Sequence, residues 1–271
     1  MSRLQNGWAT LATSARDVRA RWKNPRGINI AFHRGALVGG VLGLLFATAL
    51  VALYLDGALT LAARRLPGDV RVIFVQITKL GDSLYIFVLS ALGIVIPLLM
   101  RGKPGVNRAY DSALAYLAAR CFYVFTVAAF SGIVSQVLKR MIGRARPRLY
   151  DQFGEFHFVI PGFPAVYASF PSGHAITAFA CAVAVGYFIP RLRWALLALA
   201  VLVAASRVVV GSHYASDVIA GAAIGWLSAV LARRAFAARG IAFRLAGGHI
   251  LVKAAGKIGP ALRGNSGKPV S

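Results

Sequence analysis

Three short polar signatures lie in the middle of an otherwise apolar sequence, and together they hold two histidines, one carboxylate and three cations. Their members in chain order are Lys139, Arg146-Pro147, Pro171-Ser172-Gly173-His174, Ser206-Arg207, His213 and Asp217. A guanidinium clamps phosphate through two parallel hydrogen bonds, and a lysine ammonium adds a compact positive charge. These residue types predict a site that holds a phosphate group and attacks its phosphorus.

The two histidines suit different steps of such a reaction. His213 and Asp217 are four residues apart, so on a helix they share one face and the carboxylate can accept a hydrogen bond from Nδ1–H. That leaves Nε2 of His213 free as a nucleophile, while His174 can protonate the departing oxygen. Ser172 and Gly173 stand where a predicted helix begins, so the hydroxyl and free backbone N–H groups can hold anionic oxygens.

Each signature alone has an ordinary structural explanation. Arg-Pro commonly ends a helix, Pro-Ser-Gly-His is typical of a turn with an N-cap, and a His and an Asp four residues apart often form a surface pair. Their occurrence together, in order and at the predicted ends of apolar segments, favours a catalytic interpretation.

The composition indicates a membrane protein. Of the 271 residues, 58% are hydrophobic, and the mean hydropathy of +0.66 exceeds that of usual soluble domains. The net charge of +23 raises the question of a nucleic-acid partner. The cations lie mostly between and beyond the apolar runs, where membrane proteins carry their topology signal, and this argues against nucleic acid. Cys121 and Cys181 fall inside apolar runs and are interpreted as small buried hydrophobic residues.

We predict an all-α fold, a polytopic integral membrane bundle of six transmembrane helices with flanking interfacial helices. The predicted spans are approximately 35–55, 84–100, 114–138, 175–189, 194–205 and 218–232. The bundle thus occupies 35–232, between a basic amphipathic arm at 1–34 and a basic, partly disordered tail at 233–271. Gly35, Gly39 and Gly43 repeat every four residues in the first span, which predicts close approach of another helix.

Two one-sided helices are expected outside the spans. In the arm, one stripe of apolar side chains predicts a helix that lies on an anionic leaflet, with a disordered basic tail as the alternative. That stripe consists of Leu4, Trp8, Leu11, Val18 and Trp22. A second such helix is predicted within 56–83, where it would lie at the membrane interface.

Six spans place both termini on one side of the membrane, and most of the 31 Lys and Arg residues fall on that side. The positive-inside rule therefore predicts cytoplasmic termini and a site on the outer face of a bacterial cytoplasmic membrane. The cations that cluster on the outer side against this trend are Lys139, Arg140, Arg144, Arg146, Arg148 and Arg207. Phosphate binding would give this cluster a functional reason.

The three signatures resemble those of the type 2 phosphatidic acid phosphatase and haloperoxidase superfamily, in order and without a substitution at the defining positions. The motif region covers 139–217, and the six-span plan extends the resemblance to 35–232. The resemblance implies phosphate binding, nucleophilic attack that gives a phosphohistidine, orientation of the nucleophile and general acid catalysis, without a metal or other cofactor. The residues implied for phosphate binding are Lys139, Arg146, Arg207, Ser172 and Gly173. The resemblance further implies that His213 is the nucleophile, that Asp217 orients it and that His174 is the general acid.

The leading hypothesis is an integral-membrane lipid phosphatase acting on a phosphate monoester or diphosphate. The candidate substrates are phosphatidic acid, phosphatidylglycerophosphate, undecaprenyl diphosphate and a lipid A phosphate. A lipid phosphotransferase using the same phosphohistidine remains open, as does a non-catalytic lipid-binding membrane protein. A vanadate-dependent haloperoxidase shares the anion pocket but suits a soluble protein. The aromatic-rich loop 149–170 either shapes the headgroup site or forms an interfacial aromatic belt.

Overall fold

The computed structural model describes residues 2–23, 34–101, 108–246 and 249–253. The elements in chain order are α1 (Ser2–Lys23), α2 (Arg34–Tyr54), α3 (Asp56–Arg64), α4 (Gly68–Lys79), α5 (Ser83–Met100), α6 (Arg108–Ile142), α7 (Tyr150–Phe153), α8 (Gly173–Gly186), α9 (Arg193–Val209), α10 (Ala215–Ala238), β1 (Phe243–Ala246) and β2 (His249–Val252). The two strands form an antiparallel hairpin that pairs Phe243 with Val252 and Ala246 with His249. The predicted all-α bundle is confirmed, with this small hairpin added.

Within the described residues, four helical segments are long and apolar enough to cross a membrane, and they are 68–100, 108–142, 190–209 and 215–238. A fifth candidate is the pair formed by α2 and α3, which is bent by 52°. The 14 residues of α8 rise only about 21 Å, against a hydrocarbon thickness of about 30 Å. Length and composition thus support four or five membrane-capable helices, and a sixth span stays a prediction.

The helix predicted at the membrane interface within 56–83 corresponds to α4. In the structure α4 leads, across a short break, into α5 as one 33-residue membrane-capable segment, and α4 packs against α9. The Asp82 side chain accepts a hydrogen bond of 2.9 Å from the backbone N–H of Leu84, which caps the start of α5. α4 thus contacts α9 on one side, but none of its residues is buried and Ile73 is 59% exposed, so its position at the membrane interface stays a prediction.

The bundle is centred on the packing of α8 against α10, and glycines of α10 make that packing close. A Cβ at Gly221 would lie 2.7 Å from the carbonyl oxygen of Ser172, and one at Gly225 would collide with the carbonyl of Ile176. The missing side chains let the two backbones approach and bring the second and third signatures together. By contrast, a Cβ at Gly39 has no described atom within 4 Å, nor has one at Gly35 or Gly43. The predicted close packing there is wrong for the described part of the chain.

The opposite end of α10 is covered by aromatic side chains and the hairpin. Tyr123 and Phe243 are fully buried there, and Phe236 is 1% exposed. The predicted tail at 233–271 is therefore ordered over its first part, because α10 continues to Ala238 and the hairpin follows. Residues 254–271, where disorder was also predicted, lie outside the described residues.

The basic arm forms a helix, α1, over Ser2–Lys23, as predicted. Near its end, Val18 packs against the aromatic cluster, and the ring of Trp22 meets Phe236 edge-on at 5.7 Å. This part of the stripe thus contacts protein, where we expected lipid. The side chains of Leu4, Trp8 and Leu11 lie outside the described side chains, so their contact with an anionic leaflet stays a prediction.

Candidate active site

The segment 168–172, which leads into α8, connects the predicted signatures. Near the end of α6, Lys139 is 7% exposed, and its Nζ donates to the carbonyl oxygen of Ala168 at 2.7 Å. The backbone N–H of Ser172 donates to the carbonyl oxygen of Asp217, in the first turn of α10, at 3.0 Å. Side chains that are far apart in sequence are thereby held at one end of the bundle.

His213 lies between α9 and α10, and its side chain is 3% exposed. Its Nδ1 is 2.7 Å from the carbonyl oxygen of Ser169. Because a carbonyl oxygen can only accept, Nδ1 carries the proton and Nε2 carries the lone pair. Burial lowers the pKa of His213 to about 4, so the ring is uncharged at neutral pH. The residue therefore has the tautomer and charge that a nucleophilic Nε2 requires.

Asp217 does not form the direct hydrogen bond to His213 that the spacing predicted. Its Oδ2 lies 3.8 Å from Nδ1, beyond hydrogen-bond distance. Oδ2 instead accepts from the Ser169 hydroxyl at 2.5 Å and from the backbone N–H of Tyr214 at 2.9 Å. Asp217 thus holds Ser169, whose own carbonyl oxygen holds His213. The orienting effect passes through one residue that the sequence did not single out.

Arg144 is a second residue that sequence reasoning left without a role beyond the cation cluster. Its side chain is 4% exposed; Nη1 donates to Asp217 at 2.7 Å, and Nη2 donates to Asp56 at 2.9 Å. The guanidinium also donates to the carbonyl oxygen of Glu155 at 3.0 Å and lies 4.2 Å above the Tyr214 ring. Burial alone would lower the pKa of Arg144, but the two carboxylates outweigh burial and raise it. Arg144 therefore stays charged between two buried carboxylates.

Asp56 completes this network from the start of α3. It is fully buried, and its Oδ1 accepts from the backbone N–H of Ser216 at 2.9 Å. Its Oδ2 accepts from the Ser216 hydroxyl as well as from Arg144. The first turn of α10, which follows His213 directly, is thereby tied to α3 and to the 144–155 loop. In the sequence, the signal for a buried role of Asp56 is that this acid directly follows an apolar run.

Buried polar atoms without a partner collect around the signatures. The described chain has seven buried side-chain nitrogen or oxygen atoms without a hydrogen bond. The four at this end of the bundle are Ser135 Oγ, Arg146 Nε, Ser172 Oγ and Arg207 Nε. Buried polar groups are normally hydrogen-bonded, so these donors and hydroxyls fit a polyanionic ligand such as a phosphate group.

Ser135 was not predicted to be a site residue, but it lies beside the second signature at the candidate phosphate site. It is 3% exposed and lies one helical turn before Lys139 on α6. A Cβ at Gly173 would lie 3.5 Å from Ser135 Oγ and 3.8 Å from Lys139 Cε. The start of α8 therefore faces this part of α6, and a serine on that face has no sequence signature of its own.

The N-terminus of α8 is built to receive an anion. Ser172 occupies the N-cap position, but its hydroxyl makes no capping hydrogen bond. The first hydrogen bond into this helix runs from the N–H of Ile176 to the carbonyl of Ser172. The N–H groups of Gly173, His174 and Ala175 precede that bond, where a helix has unpaired donors and a positive dipole end.

The other predicted residues surround this helix end. Arg207 donates from Nη1 to the Thr78 hydroxyl at 2.5 Å, which links the end of α9 to α4. The His174 ring packs against the turn between α4 and α5, since a Cβ at Gly81 would lie 3.1 Å from its Cδ2. Contacts with the α4 region thus position Arg207, which is predicted to bind phosphate, and His174, which is predicted to be the general acid.

The loop 149–170 presents apolar side chains outward. Those of Phe153, Phe156 and Phe158 are about half exposed, and Ile160 and Phe163 are 71% and 68% exposed. Exposed aromatic and aliphatic side chains at a membrane-protein surface favour the interfacial belt among the two predicted roles. The described residues contain no cluster of three or more His, Cys, Asp or Glu side chains suited to holding a metal ion.

Comparisons with known proteins find similar sequences. A family model, that of the PAP2 superfamily, matches residues 120–241. A lipid A 1-phosphatase of Rhizobium etli is 37% identical over 74% of this chain and 85% of its own. A lipid A 1-phosphatase of Rhizobium johnstonii is 36% identical over 69% of this chain and 76% of its own.

A solved structure is similar in fold. The transmembrane PAP2-type phosphatidylglycerolphosphate phosphatase from Bacillus subtilis superposes with a TM-score of 0.52. The match covers 73% of this chain and 94% of that chain, at 24% sequence identity. The likeness supports the bundle architecture described above.

Proposed function

This chain belongs to the PAP2 superfamily, and from that premise we propose that it is an integral-membrane lipid phosphatase acting through a phosphohistidine. Relatives named as phosphatases identify it as a phosphoric ester hydrolase. The mechanism rests on His213, whose Nδ1 is bonded to the Ser169 carbonyl and whose Nε2 is uncharged. A buried histidine held this way beside several cations is suited to attack phosphorus.

In the first step, His213 Nε2 attacks phosphorus as the bond from phosphorus to the lipid oxygen breaks. The electron pair of that bond stays with the oxygen, which takes a proton from His174. Burial and the charge of Arg207 lower the pKa of His174 to about 4 in the free protein, and the negative charge of the bound phosphate raises it so that the ring can carry this proton. Lys139, Arg146 and Arg207 stabilise the charge on the phosphoryl oxygens, with the Ser172 hydroxyl and the α8 N-terminus. The dephosphorylated lipid leaves, and the phosphate remains on Nε2.

In the second step, neutral His174 takes a proton from water, whose oxygen attacks the phosphohistidine. The bond between phosphorus and nitrogen breaks, its electron pair returns to Nε2, and inorganic phosphate departs. Asp217 and Ser169 act as positioning residues, because they hold His213 and do not touch the reacting atoms. Low mobility of the imidazole keeps Nε2 aligned in both steps.

For the substrate, we place the phosphate of a lipid A-type glycolipid first. The relatives named lipid A 1-phosphatase align with this chain over most of their own length. Phosphatidic acid, phosphatidylglycerophosphate and undecaprenyl diphosphate are the comparison substrates. A lipid anchored in the bilayer arrives with its headgroup already restricted in position, which lowers the entropic cost of alignment.

For the topology, we propose six spans, with the bent α2–α3 pair and the short α8 included. Both termini then lie in the cytoplasm, and the site opens on the outer face of a bacterial cytoplasmic membrane. The exposed apolar loop 149–170 lies on that face and contacts the interface. A reporter fused after Ser271 should be cytoplasmic, and one inserted near Phe156 should be external.

The test is phosphate release by the purified protein in neutral detergent, with the four lipid phosphates as substrates. We expect kcat/KM to be largest for the lipid A phosphate. His213→Ala should abolish both turnover and the phosphoenzyme detected after alkaline denaturation, whereas His157→Ala, outside the signatures, should retain both. Wild-type turnover in His213→Ala would overturn the mechanism. A phosphorylated lipid formed in place of free phosphate would identify a phosphotransferase.

A further inference from the structure

A cavity of about 190 Å³ lies beside the candidate active site and has no role in the mechanism above. Its walls come from α3, α4 and two connecting loops. Arg148 in one wall is two residues beyond Arg146, and Val209 to Gly211 in another wall follow Arg207 and precede His213. The cavity is thus built on the chain directly adjoining the first and third signatures.

Three guanidinium groups line this cavity, those of Arg64, Arg71 and Arg148, and its lining contains no acidic residue. Arg64 pairs with Asp151, which lies outside the lining. No side-chain hydrogen bond or ion pair joins Arg71 or Arg148 to another described residue. The cavity therefore carries two positive charges that are not balanced by a carboxylate in the described part of the chain.

Arg64 is held in a fixed orientation. Its Nη1 lies 2.7 Å from both carboxylate oxygens of Asp151, and its Nη2 donates to the carbonyl oxygen of Pro147 at 2.9 Å. Its guanidinium also lies 5.7 Å from the centre of the Tyr150 ring. A pre-oriented guanidinium loses less conformational freedom when it binds an anion. The Thr60 hydroxyl in the same lining adds a neutral hydrogen-bonding group.

The charge of this cavity acts on the first signature. Burial, reinforced by the positive charge of Arg148, lowers the pKa of Arg146. Two like charges placed this close repel each other, and an anion beside either of them relieves the repulsion. A ligand that places negative charge in both the catalytic pocket and the cavity is therefore favoured over one with a single charged group.

We propose that this three-arginine cavity binds a second phosphate group on the same lipid molecule whose first phosphate is hydrolysed. The inference rests on the proposed lipid phosphatase activity and narrows its substrate class to lipids that carry two separate phosphates. The headgroup extends from the catalytic pocket to the cavity along the 146–148 and 207–211 segments, and the acyl chains stay in the bilayer. Selectivity then arises from a charge-assisted contact away from the reacting phosphorus, which affects binding more than bond breaking.

The test compares two synthetic lipid A analogues, one with two phosphates and one without the second phosphate. Wild-type protein in neutral detergent should favour the bisphosphate in kcat/KM by about ten- to a hundredfold, mainly through KM. Arg71→Gln and Arg148→Gln should each reduce that selectivity ratio, and the double variant should remove most of it. Arg65→Gln, an exposed arginine outside the cavity, should keep the wild-type ratio.

Two outcomes of the comparison without added lipid would overturn the proposal. One is a wild-type protein that treats both analogues equally. The other is a selectivity ratio that Arg71→Gln and Arg148→Gln leave unchanged. Added phosphatidylglycerol separates the two sources of phosphate: if it abolishes the selectivity in wild type, the cavity binds a neighbouring lipid and the proposal fails.

A binding experiment keeps this test independent of hydrolysis. Calorimetry with His213→Ala measures the affinity for each analogue without turnover, alone and combined with Arg71→Gln. If the bisphosphate binds more tightly and Arg71→Gln abolishes this preference, the cavity proposal is supported even when wild type releases no phosphate. The absence of phosphate release would contradict the proposed function alone. Equal affinity for both analogues in His213→Ala contradicts the cavity proposal.

Discussion

Arg144→Gln should be among the most damaging single substitutions in the described chain outside the signatures. The substitution leaves Asp56 and Asp217 buried, with no cation between them, and removes donors at 2.7 Å and 2.9 Å. Breaking a buried ion pair by removing one partner costs about 3–5 kcal/mol. At about 2–4 °C per kcal/mol for a chain of this size, the thermal midpoint should fall by roughly 6–20 °C.

The same change should slow catalysis, because Arg144 holds Asp217, which holds Ser169 and through it His213. The assays are thermal unfolding in detergent and phosphate release from the preferred lipid. Arg191→Gln makes the same charge change at an exposed turn and serves as the control. Adding Asp56→Asn to Arg144→Gln removes one uncompensated charge and should restore part of the midpoint.

Equal unfolding temperatures for Arg144→Gln and Arg191→Gln would refute the structural role given to Arg144. That role is also refuted if the midpoint changes caused by Asp56→Asn and Arg144→Gln are additive. Either result would mean that Arg144 does not couple Asp56 to Asp217.

Four further outcomes are expected. Asp217→Asn should lower kcat by about ten- to a hundredfold, less than the roughly 10⁴-fold loss known where an aspartate bonds its histidine directly, and a larger loss than that would indicate a direct bond. Since the depressed pKa of His213 keeps Nε2 unprotonated down to about pH 4, the kcat/KM profile should show no acid limb from this group above about pH 5; a nucleophile that titrates near 6.5 would contradict that assignment. Activity should survive EDTA, and restoration by Mg²⁺ after a loss would sink the metal-free mechanism. Gly225→Ala should destabilise by about 1–3 kcal/mol because its Cβ meets the α8 backbone, whereas Gly39→Ala, with open space around it, should be neutral or slightly stabilising.

The site was predictable to the extent that its chemistry lies in short signatures. Lys139 and Asp217 both bond to the 168–172 segment, as the predicted helix ends indicated, but the direct bond between Asp217 and His213 that their spacing predicted does not form. The partner of His213 Nδ1 was not predictable, since a backbone carbonyl carries no side-chain signal and any residue type could have provided it. The role of Arg144 was hidden for a related reason, because its partner Asp56 is 88 residues away in the chain.

The fold was predictable where apolar length decides and less so where packing decides. The apolar run predicted at 114–138 lies within α6, which extends beyond it to Arg108 and Ile142, whereas the short α8 and the bent α2–α3 pair depend on contacts with neighbours. The glycines of α2 and α10 illustrate the limit. Gly35, Gly39 and Gly43 were predicted to pack closely and Gly221 and Gly225 were not singled out, yet of these five it is Gly221 and Gly225 that face another backbone in the described structure.

The contact between the two ends of the chain has a consequence for biogenesis. Trp22 of α1 lies between Phe236 and the guanidinium of Arg239, at 5.7 Å and 4.0 Å, and Arg21 donates to the carbonyl of Gly240 at 3.3 Å. α1 leaves the ribosome before α10, and it therefore acquires these partners only after α10 has been synthesised. Until then its apolar stripe is without its final protein contact, so a protease added to nascent chains arrested before residue 236 should cleave α1, and one added to the finished protein should not.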